Sequence, residues 1–271
     1  MLIKFFRHIR QTLLTEGKTS KYFKYAIGEI ALVVIGILIA LQINNWNESR
    51  KDKNVEHSYL LRLLNDIEND NKTLEYSKRL SKTRINQIDL LNNAIENSNL
   101  VAGNESQVIE SIEKVTWRSY LSLSRIVYNE LHNSGKMSLI QSENLRSRLA
   151  KYYSDADHWE MILNLNEGQK EFSKATAGLL SKEFLKAIEN SESTDSIISL
   201  INLNSDNLDL ELEETEVERI VLELSSMHEA MKWLPKIYHY HVLAEKVIVQ
   251  LTLQNKELNK LIQNELDNGQ F

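Results

Sequence analysis

The sequence contains no cysteine and a single proline, Pro235, and only 8 of its 271 residues are glycine. The absence of cysteine excludes disulfides, thiolate zinc sites and cysteine nucleophiles, although it is compatible with either side of a bacterial membrane. The scarcity of proline and glycine leaves few helix breakers. We therefore expect long helices, and a hydrophobic content of 42% is enough for a sizeable core.

Several motifs that identify enzymes are also missing. The sequence contains no glycine-rich phosphate loop, no nucleophile elbow and no zinc-protease helix motif. Di-iron sites in helical bundles use paired Glu-x-x-His motifs, and here only His158 has a carboxylate, Asp155, three positions before it. We therefore predict a protein that is not an enzyme and that holds no metal or other cofactor.

Two short segments place histidines beside other polar side chains. In SDADHWE, residues two apart point to different faces of a helix, so at most Asp155 and His158 share one metal ion. In IYHYHVL, His239 and His241 converge on one ion only if the backbone is not helical. The simpler interpretations are a polar helix face and an interfacial aromatic patch, and we assign no site to either segment.

The net charge of −6 conceals an uneven distribution along the chain. Residues 1–24 hold six basic side chains and one acidic side chain, a balance of +5, so residues 25–271 carry −11. A basic segment ahead of an acidic body predicts that the first meets anionic lipid and the second meets solvent. Nucleic acid is not among the partners that we expect.

The most apolar part of the chain is YAIGEIALVVIGILIALQINNW, residues 25–46. Its only charged residue is Glu29, and residues 30–43 contain no ionisable group. As a helix with a rise of about 1.5 Å per residue, these 22 residues span roughly 33 Å, close to a hydrocarbon core of about 30 Å. Tyr25 and Trp46 stand at its two ends, as interfacial aromatic anchors do. The stretch therefore predicts a transmembrane helix, with Glu29 near the headgroups.

Two alternatives compete with a membrane helix. A buried helix of a soluble protein is apolar over about 10 to 14 residues, which residues 30–43 also satisfy, but the basic and aromatic flanks disfavour it. A cleaved export signal needs small residues before the cut, yet Leu38 occupies the third position before a cut after Ala40. We therefore expect an uncleaved signal anchor.

The counts of lysine and arginine on the two sides of the stretch predict its orientation. Six basic residues precede it and three follow it, at Arg50, Lys51 and Lys53, which favours a cytoplasmic N-terminus. We therefore predict a basic amphipathic cytoplasmic segment at residues 1–24, a transmembrane helix at 25–46 and an extracytoplasmic helical domain at 47–271. In a Gram-negative cell this is a single-pass inner-membrane protein with a periplasmic domain.

Helical periodicity continues on both sides of the stretch. Residues 2–13 predict a short helix in the membrane interface, with an apolar stripe opposite its basic side chains. Beyond residue 46, apolar spacing predicts helices over residues 55–95, 105–115, 143–188, 214–233 and 236–266, with an irregular acidic connection at 189–210. Between the second and third of these, Ser124 is a candidate N-cap, Gly135 a left-handed helix end and Ser142 the next N-cap. We predict an all-α fold, an antiparallel helical bundle that follows the interfacial and transmembrane helices.

Three residues of the transmembrane stretch are candidates for contact with another membrane helix. Gly36 and Ala40 have the small-xxx-small spacing that allows two helices to approach closely, and Glu29 lies on the same stripe. A carboxylate beside such a groove is able to pair with a basic or hydroxyl side chain of the partner. The alternative is an interfacial glutamate that is favoured only by the helix dipole.

Two segments resemble a known group of proteins. KYAIGEIALVVIGILIALQINNWNESRK and LSRIVYNELHNSGKMSLIQSENLRSRLAKYY are similar to uncharacterised single-pass membrane proteins of Gram-negative bacteria, classed only as a domain of unknown function. The similarity covers the N-terminal 55 residues well and the centre in part. It implies a membrane anchor and a helical extracytoplasmic region, and it brings no activity, ligand or catalytic residue.

The functional hypothesis that follows is a membrane-anchored interaction or scaffold protein. Its expected partners are membrane lipid and either another protein or a second copy of the chain. The alternative is a ligand sensor, which would signal through a partner membrane protein because the 24 residues before the span are too few for an output domain.

Overall fold

The computed structural model of the chain describes residues 19–97, 101–119, 121–191 and 212–269. Within these residues the fold is helical and contains no strand, which confirms the predicted all-α class. The helices are α1 (Thr19–Glu96), α2 (Glu105–Lys114), α3 (Ile126–Asn133), α4 (Glu143–Leu163), α5 (Glu167–Ala175), α6 (Lys182–Ser191), α7 (Glu214–Ser226), α8 (His228–Met231) and α9 (Leu234–Asn268), with a short 3-10 helix at Lys136–Leu139. The predicted interfacial helix at residues 2–13 and most of the predicted connection at 189–210 lie outside the described residues.

The described chain divides into two compact units, one that ends at Ser58 and one of Tyr59–Gly269. Helix α1 contributes residues to both units. In the first unit it contains a window of mean hydropathy 2.5 in which no residue is buried. By length and composition, α1 is the one described helix that is able to cross a membrane.

The second unit is a helical bundle in which α4 and α9 run in opposite directions. Near the start of α4, Arg148 pairs with Glu257, which lies near the end of α9, at 3.1 Å. At the other end of α4, the Leu163 carbonyl accepts a hydrogen bond of 2.9 Å from Tyr240, which lies near the start of α9. The predicted antiparallel bundle is therefore confirmed.

A layer of buried polar side chains separates two hydrophobic clusters in this bundle. Helix α1 contributes Leu74 to the first cluster and Ile88 to the second. On the same face of α1, between these two residues, lie the buried side chains of Ser77, Ser81 and Arg84. Helix α9 repeats the pattern, because its buried His241 stands between Ile237 of the second cluster and Ala244 of the first. We call Ser77, Ser81, Arg84, Ser119 and His241 the polar layer.

The prediction of a single helix over residues 143–188 is wrong, because the chain forms α4, α5 and α6 there. Its apolar stripe serves both clusters, since Leu163 packs in the first and Phe172 in the second. The chain turns between α4 and α5 at residues 164–166. Between α5 and α6, Gly178 adopts a φ of 89° that other residues rarely reach. The helix predicted over 214–233 likewise divides at Met227, whereas Pro235 stands in the first turn of α9.

The segment around α3 combines one wrong prediction with two that are confirmed. Gly135 has a φ of 69°, as a left-handed helix end requires, and Ser142 accepts a hydrogen bond from the Leu145 amide. Ser124 does not cap α3. Instead Asp66 of α1 accepts a hydrogen bond of 3.1 Å from the Val127 amide in the first turn of α3. The cap comes from a distant helix, which local sequence does not reveal.

Removing this tertiary cap is expected to destabilise the second unit. Asp66→Ala leaves the buried Val127 amide without its acceptor, so the free energy of unfolding should fall by about 1–2 kcal/mol. Urea unfolding followed by tryptophan fluorescence measures the change. The control is Glu68→Ala on the exposed side of α1, and an equal loss in both variants would show that the cap contributes nothing.

A candidate ligand cleft beside the polar layer

A cleft of about 430 Å³ opens between the loop that joins α2 to α3 and the end of α4. Its volume lies within the range of about 300–1,000 Å³ that is typical of ligand pockets. Its polar lining includes Arg118, Ser119 and Ser122 from the loop, with Glu160, Asn164 and Asn166 from the end of α4 and the turn that follows. We call it the polar cleft.

Ser119 joins the polar cleft to the polar layer behind it. Its hydroxyl lies 2.9 Å from the Ser81 hydroxyl and 3.2 Å from Nδ1 of His241. These two contacts bring together α1, α9 and the loop. Because Ser81, Ser119 and His241 are all buried, the three side chains fix the position of the loop at the base of the cleft.

His241 is neutral at physiological pH. Burial and, to a smaller extent, the positive charge of Arg84 lower the pKa of its imidazole to about 4, against the backbone of Val115, which acts in the opposite direction. Nε2 of His241 has no hydrogen-bond partner among the described atoms, although the side chain is fully buried. The neutral ring makes its one side-chain hydrogen bond with Ser119.

The opposite wall of the cleft is held by two long side chains. Arg125 pairs with Glu160 at 2.9 Å and with Asp157 at 2.7 Å, which ties the start of α3 to the end of α4. The Tyr240 hydroxyl donates to the Leu163 carbonyl, and burial raises the pKa of that phenol to about 12, so it keeps its proton. Both walls are therefore fixed by contacts between distant parts of the chain.

Arg118 is the exposed cation of the cleft. In the described part of the chain it makes no ion pair, whereas Glu160 on the other wall is paired with Arg125. Trp117 also lines the cleft, and the Arg84 guanidinium and the Lys114 ammonium lie 5.0 Å and 5.8 Å from the centre of its ring. The cleft thus offers separate positive and negative groups.

A second buried group of polar side chains, a hydrogen-bond network around Asp70, lies in the first hydrophobic cluster. Asp70 accepts hydrogen bonds from the Ser124 amide at 2.5 Å and from the Tyr152 hydroxyl at 3.1 Å. Burial raises the pKa of Asp70 to about 7 against these two donors, and the charge of Asp66 raises it as well. Asn255 completes the network by donating to the Tyr152 oxygen at 3.3 Å. These groups are enclosed, so the network supports the bundle rather than forming a surface site.

The site residues predicted in the transmembrane stretch lie on α1. Helical geometry places Glu29, Gly36 and Ala40 on one stripe, and a Cβ atom added at Gly36 would meet no described atom within 4 Å apart from the adjacent backbone of α1. Trp46 is exposed, with the Arg50 guanidinium 5.7 Å from its ring centre. The side chain of Tyr25 lies outside the described residues. Membrane pairing and interfacial anchoring by these residues stay predictions.

In the described part of the chain, no group of three potential metal ligands converges at either histidine segment. Asp155 accepts hydrogen bonds from Lys151 and from Gln254 of α9, while His158 packs edge-on against Trp159. His239 is exposed and His241 is buried, so these two side chains face different surroundings. His241 instead contacts Ser119 of the cleft, a contact that residue spacing along the chain does not predict.

Comparisons with known proteins give a family and no relative of known function. A family model described as a family of unknown function, DUF6090, matches residues 29–203. Neither the curated proteins nor the solved structures contain a match.

Proposed function

Because this chain belongs to the DUF6090 family, whose function is unknown, we propose a function from its own residues: a membrane-anchored helical protein that binds another protein outside the cytoplasm. The observation that carries the proposal is the apolar window of α1, of which no residue is buried. The hydrophobic effect strongly disfavours such a surface in water, and lipid removes the penalty. A buried core helix has the same composition but lacks this exposure.

The orientation of the anchor follows from the bias of basic residues toward the N-terminal side. With six basic residues before the span and three after it, the helical unit lies outside the cytoplasm, in the periplasm of a Gram-negative cell. Alkaline phosphatase fused at the C-terminus tests this orientation, since the enzyme is active only after export. An inactive fusion of full length would place the unit in the cytoplasm.

Exposed apolar side chains on the second unit support the binding of another protein. Ile126, Met161 and Leu165 are 71%, 62% and 73% exposed. The ion pair of Arg125 with Glu160 brings the start of α3 close to the end of α4, where these three residues lie. Exposed apolar residues on neighbouring elements are the reason for proposing an interaction surface here.

A photocrosslinking amino acid at position 161 tests this surface in cells. The proposed interaction gives a specific adduct from position 161 and none from position 222, where Leu222 is 63% exposed on α7. An adduct of twice the mass of the chain identifies a second copy as the partner. If positions 161 and 222 give the same adducts, the proposed surface is not specific.

The anchor itself is proposed to pair laterally through Gly36 and Ala40, with Glu29 beside the groove. Gly36→Leu should reduce crosslinking between membrane helices, because the larger side chain blocks close approach. Apart from the adjacent backbone of α1, no described atom lies within 4 Å of the added Cβ, so the effect reports on a partner helix. Glu29→Gln tests the carboxylate separately. Unchanged crosslinking in both variants would remove lateral pairing from the proposal.

A ligand sensor is the second candidate function, and the polar cleft favours it. The cleft has the volume of a ligand site, and distant helices fix both of its walls. A sensor of this kind signals by changing what the helical unit or the anchor binds.

A further inference from the structure

We propose that the polar cleft binds a small zwitterion, an amino acid or a short peptide, whose carboxylate meets Arg118 and whose ammonium group meets Glu160. The role of this zwitterion as a signal rests on the second candidate function, the ligand sensor. Binding of the zwitterion to the cleft does not depend on that function and is measured directly.

The charges of the cleft favour a ligand that carries both signs. Arg118 on the loop has no carboxylate partner among the described residues, and it does not pair with Glu160, although both line the same cleft. Glu160 contacts Arg125 through its Oε2 atom. A ligand carboxylate has two oxygens that match the guanidinium, and an ammonium group is the complement of Glu160.

Other ligand classes fit the cleft less well. A simple anion offers no donor to Glu160, and a simple cation meets repulsion from Arg118. A neutral sugar leaves the charges of Arg118 and Glu160 unmatched. A zwitterion satisfies both charges.

The uncharged lining supplies the hydrogen bonds that a peptide-like ligand needs. Ser122 and Asn164 line the cleft, and Asn166 adds an amide that is 92% buried, given its exposure of 8%. The Oδ1 atom of Asn166 has no hydrogen-bond partner among the described atoms. A buried acceptor without a donor is costly, so a ligand N–H that reached it would add affinity.

The cleft is built in advance of binding, which keeps the entropic cost of binding low. Ser81 and His241 hold Ser119 on one wall, and Tyr240 holds the Leu163 carbonyl on the other. Fixed walls do not have to be ordered by the ligand. The polar layer therefore has a role beyond packing, because it positions the loop that carries Arg118.

Binding is tested on the full chain in detergent micelles, by thermal shift and calorimetry with the free L-amino acids and the dipeptide Ala-Ala. At least one zwitterion should raise the unfolding temperature in proportion to its occupancy. Its N-acetylated form, which lacks the ammonium group, and its amidated form, which lacks the carboxylate, should each bind at least about tenfold more weakly.

Two variants and two matched controls locate the site. Arg118→Gln and Glu160→Gln should each weaken binding by about tenfold or more. Glu68→Gln and Arg79→Gln make the same changes at an exposed glutamate and an exposed arginine of α1, neither of which lines the cleft. Both controls should bind as the unchanged chain does.

The proposal is overturned if no zwitterion shifts the unfolding temperature at 10 mM, if the blocked forms bind equally well, or if the cleft variants match the controls. Failure of the sensor function is a different result. In that case the zwitterion binds at Arg118 and Glu160, but its addition leaves the adducts formed at position 161 unchanged.

Discussion

Arginine in place of Leu38 is expected to weaken retention of the chain in the membrane, and a second arginine in place of Ile35 is expected to abolish it. Both side chains are 55% exposed in the apolar part of α1, so neither substitution disturbs packing within the chain. Each arginine at the centre of a membrane helix costs about 2.5–3.5 kcal/mol in insertion experiments. The double variant should therefore move from the membrane pellet to the soluble or aggregated fraction.

The matched control is Leu222→Arg, which places the same charge at an exposed leucine of the second unit. This variant should stay in the membrane pellet. Retention of the double variant at the level of the unchanged chain would contradict the proposed anchor. Release of Leu222→Arg would instead show that the assay reports on general misfolding.

The second large effect concerns two buried groups whose contributions to stability change with pH in opposite directions. Between pH 3.8 and about 7, Asp70 is protonated in the folded chain and ionised in the unfolded chain. The free energy of unfolding therefore falls as pH rises through this window, by up to about 4 kcal/mol. Asp66 and Arg125 are the charged groups that act on Asp70.

His241 has the reverse dependence. Between about pH 4 and pH 6.5 the imidazole is neutral in the folded chain and protonated in the unfolded chain. Stability therefore rises with pH through this window, by up to about 3 kcal/mol, and it is lost as pH falls. The two contributions oppose each other, so the stability of the unchanged chain depends less on pH than that of a chain that lacks either group.

Two substitutions separate the contributions. Relative to the unchanged chain, Asp70→Asn should become more stable as pH rises from 4 to 7, because the falling contribution is removed. His241→Asn keeps a polar partner near Ser119 and should become less stable over the same range. Urea unfolding of the full chain in micelles, at intervals of half a pH unit, gives both slopes. Parallel profiles for the two variants would contradict the assignment.

Glu130 should give the same acid-dependent loss of stability in the unchanged chain and in both variants. The guanidinium of Arg62 and the hydroxyl of Tyr59 lower the pKa of Glu130 to about 2. Its contribution to stability is present above pH 4.5 and is lost as pH falls toward 2, by the usual rule for a carboxylate with a lowered pKa. Acid unfolding below pH 4 should therefore be shared by the unchanged chain and both variants.

The features of the fold that the sequence predicts correctly depend on nearby residues. The left-handed end at Gly135 and the cap at Ser142 follow from backbone conformation and from a hydrogen bond to a residue three positions away. The helical conformation of residues 55–95 follows from their regular apolar spacing, and the structure joins these residues to the predicted span 25–46 in α1. Such features need no knowledge of the partners in the bundle.

The features that sequence analysis misses depend on residues far apart in the chain. Asp66 caps α3 from 61 positions away, and Ser119 contacts His241 across 122 positions. The division of the predicted helix 143–188 arises because its apolar stripe has to serve two clusters, and the sequence shows one stripe. Without the fold, the polar cleft is invisible because Arg118 and Glu160 look like ordinary surface charges.

The extraction of native membranes with alkaline carbonate tests the central claim most directly, that the exposed apolar surface of α1 lies in lipid. Carbonate strips proteins that are bound only through charges or through other proteins. The full-length chain should stay in the pellet and dissolve only in detergent. Recovery of the intact chain in the carbonate supernatant would contradict the account.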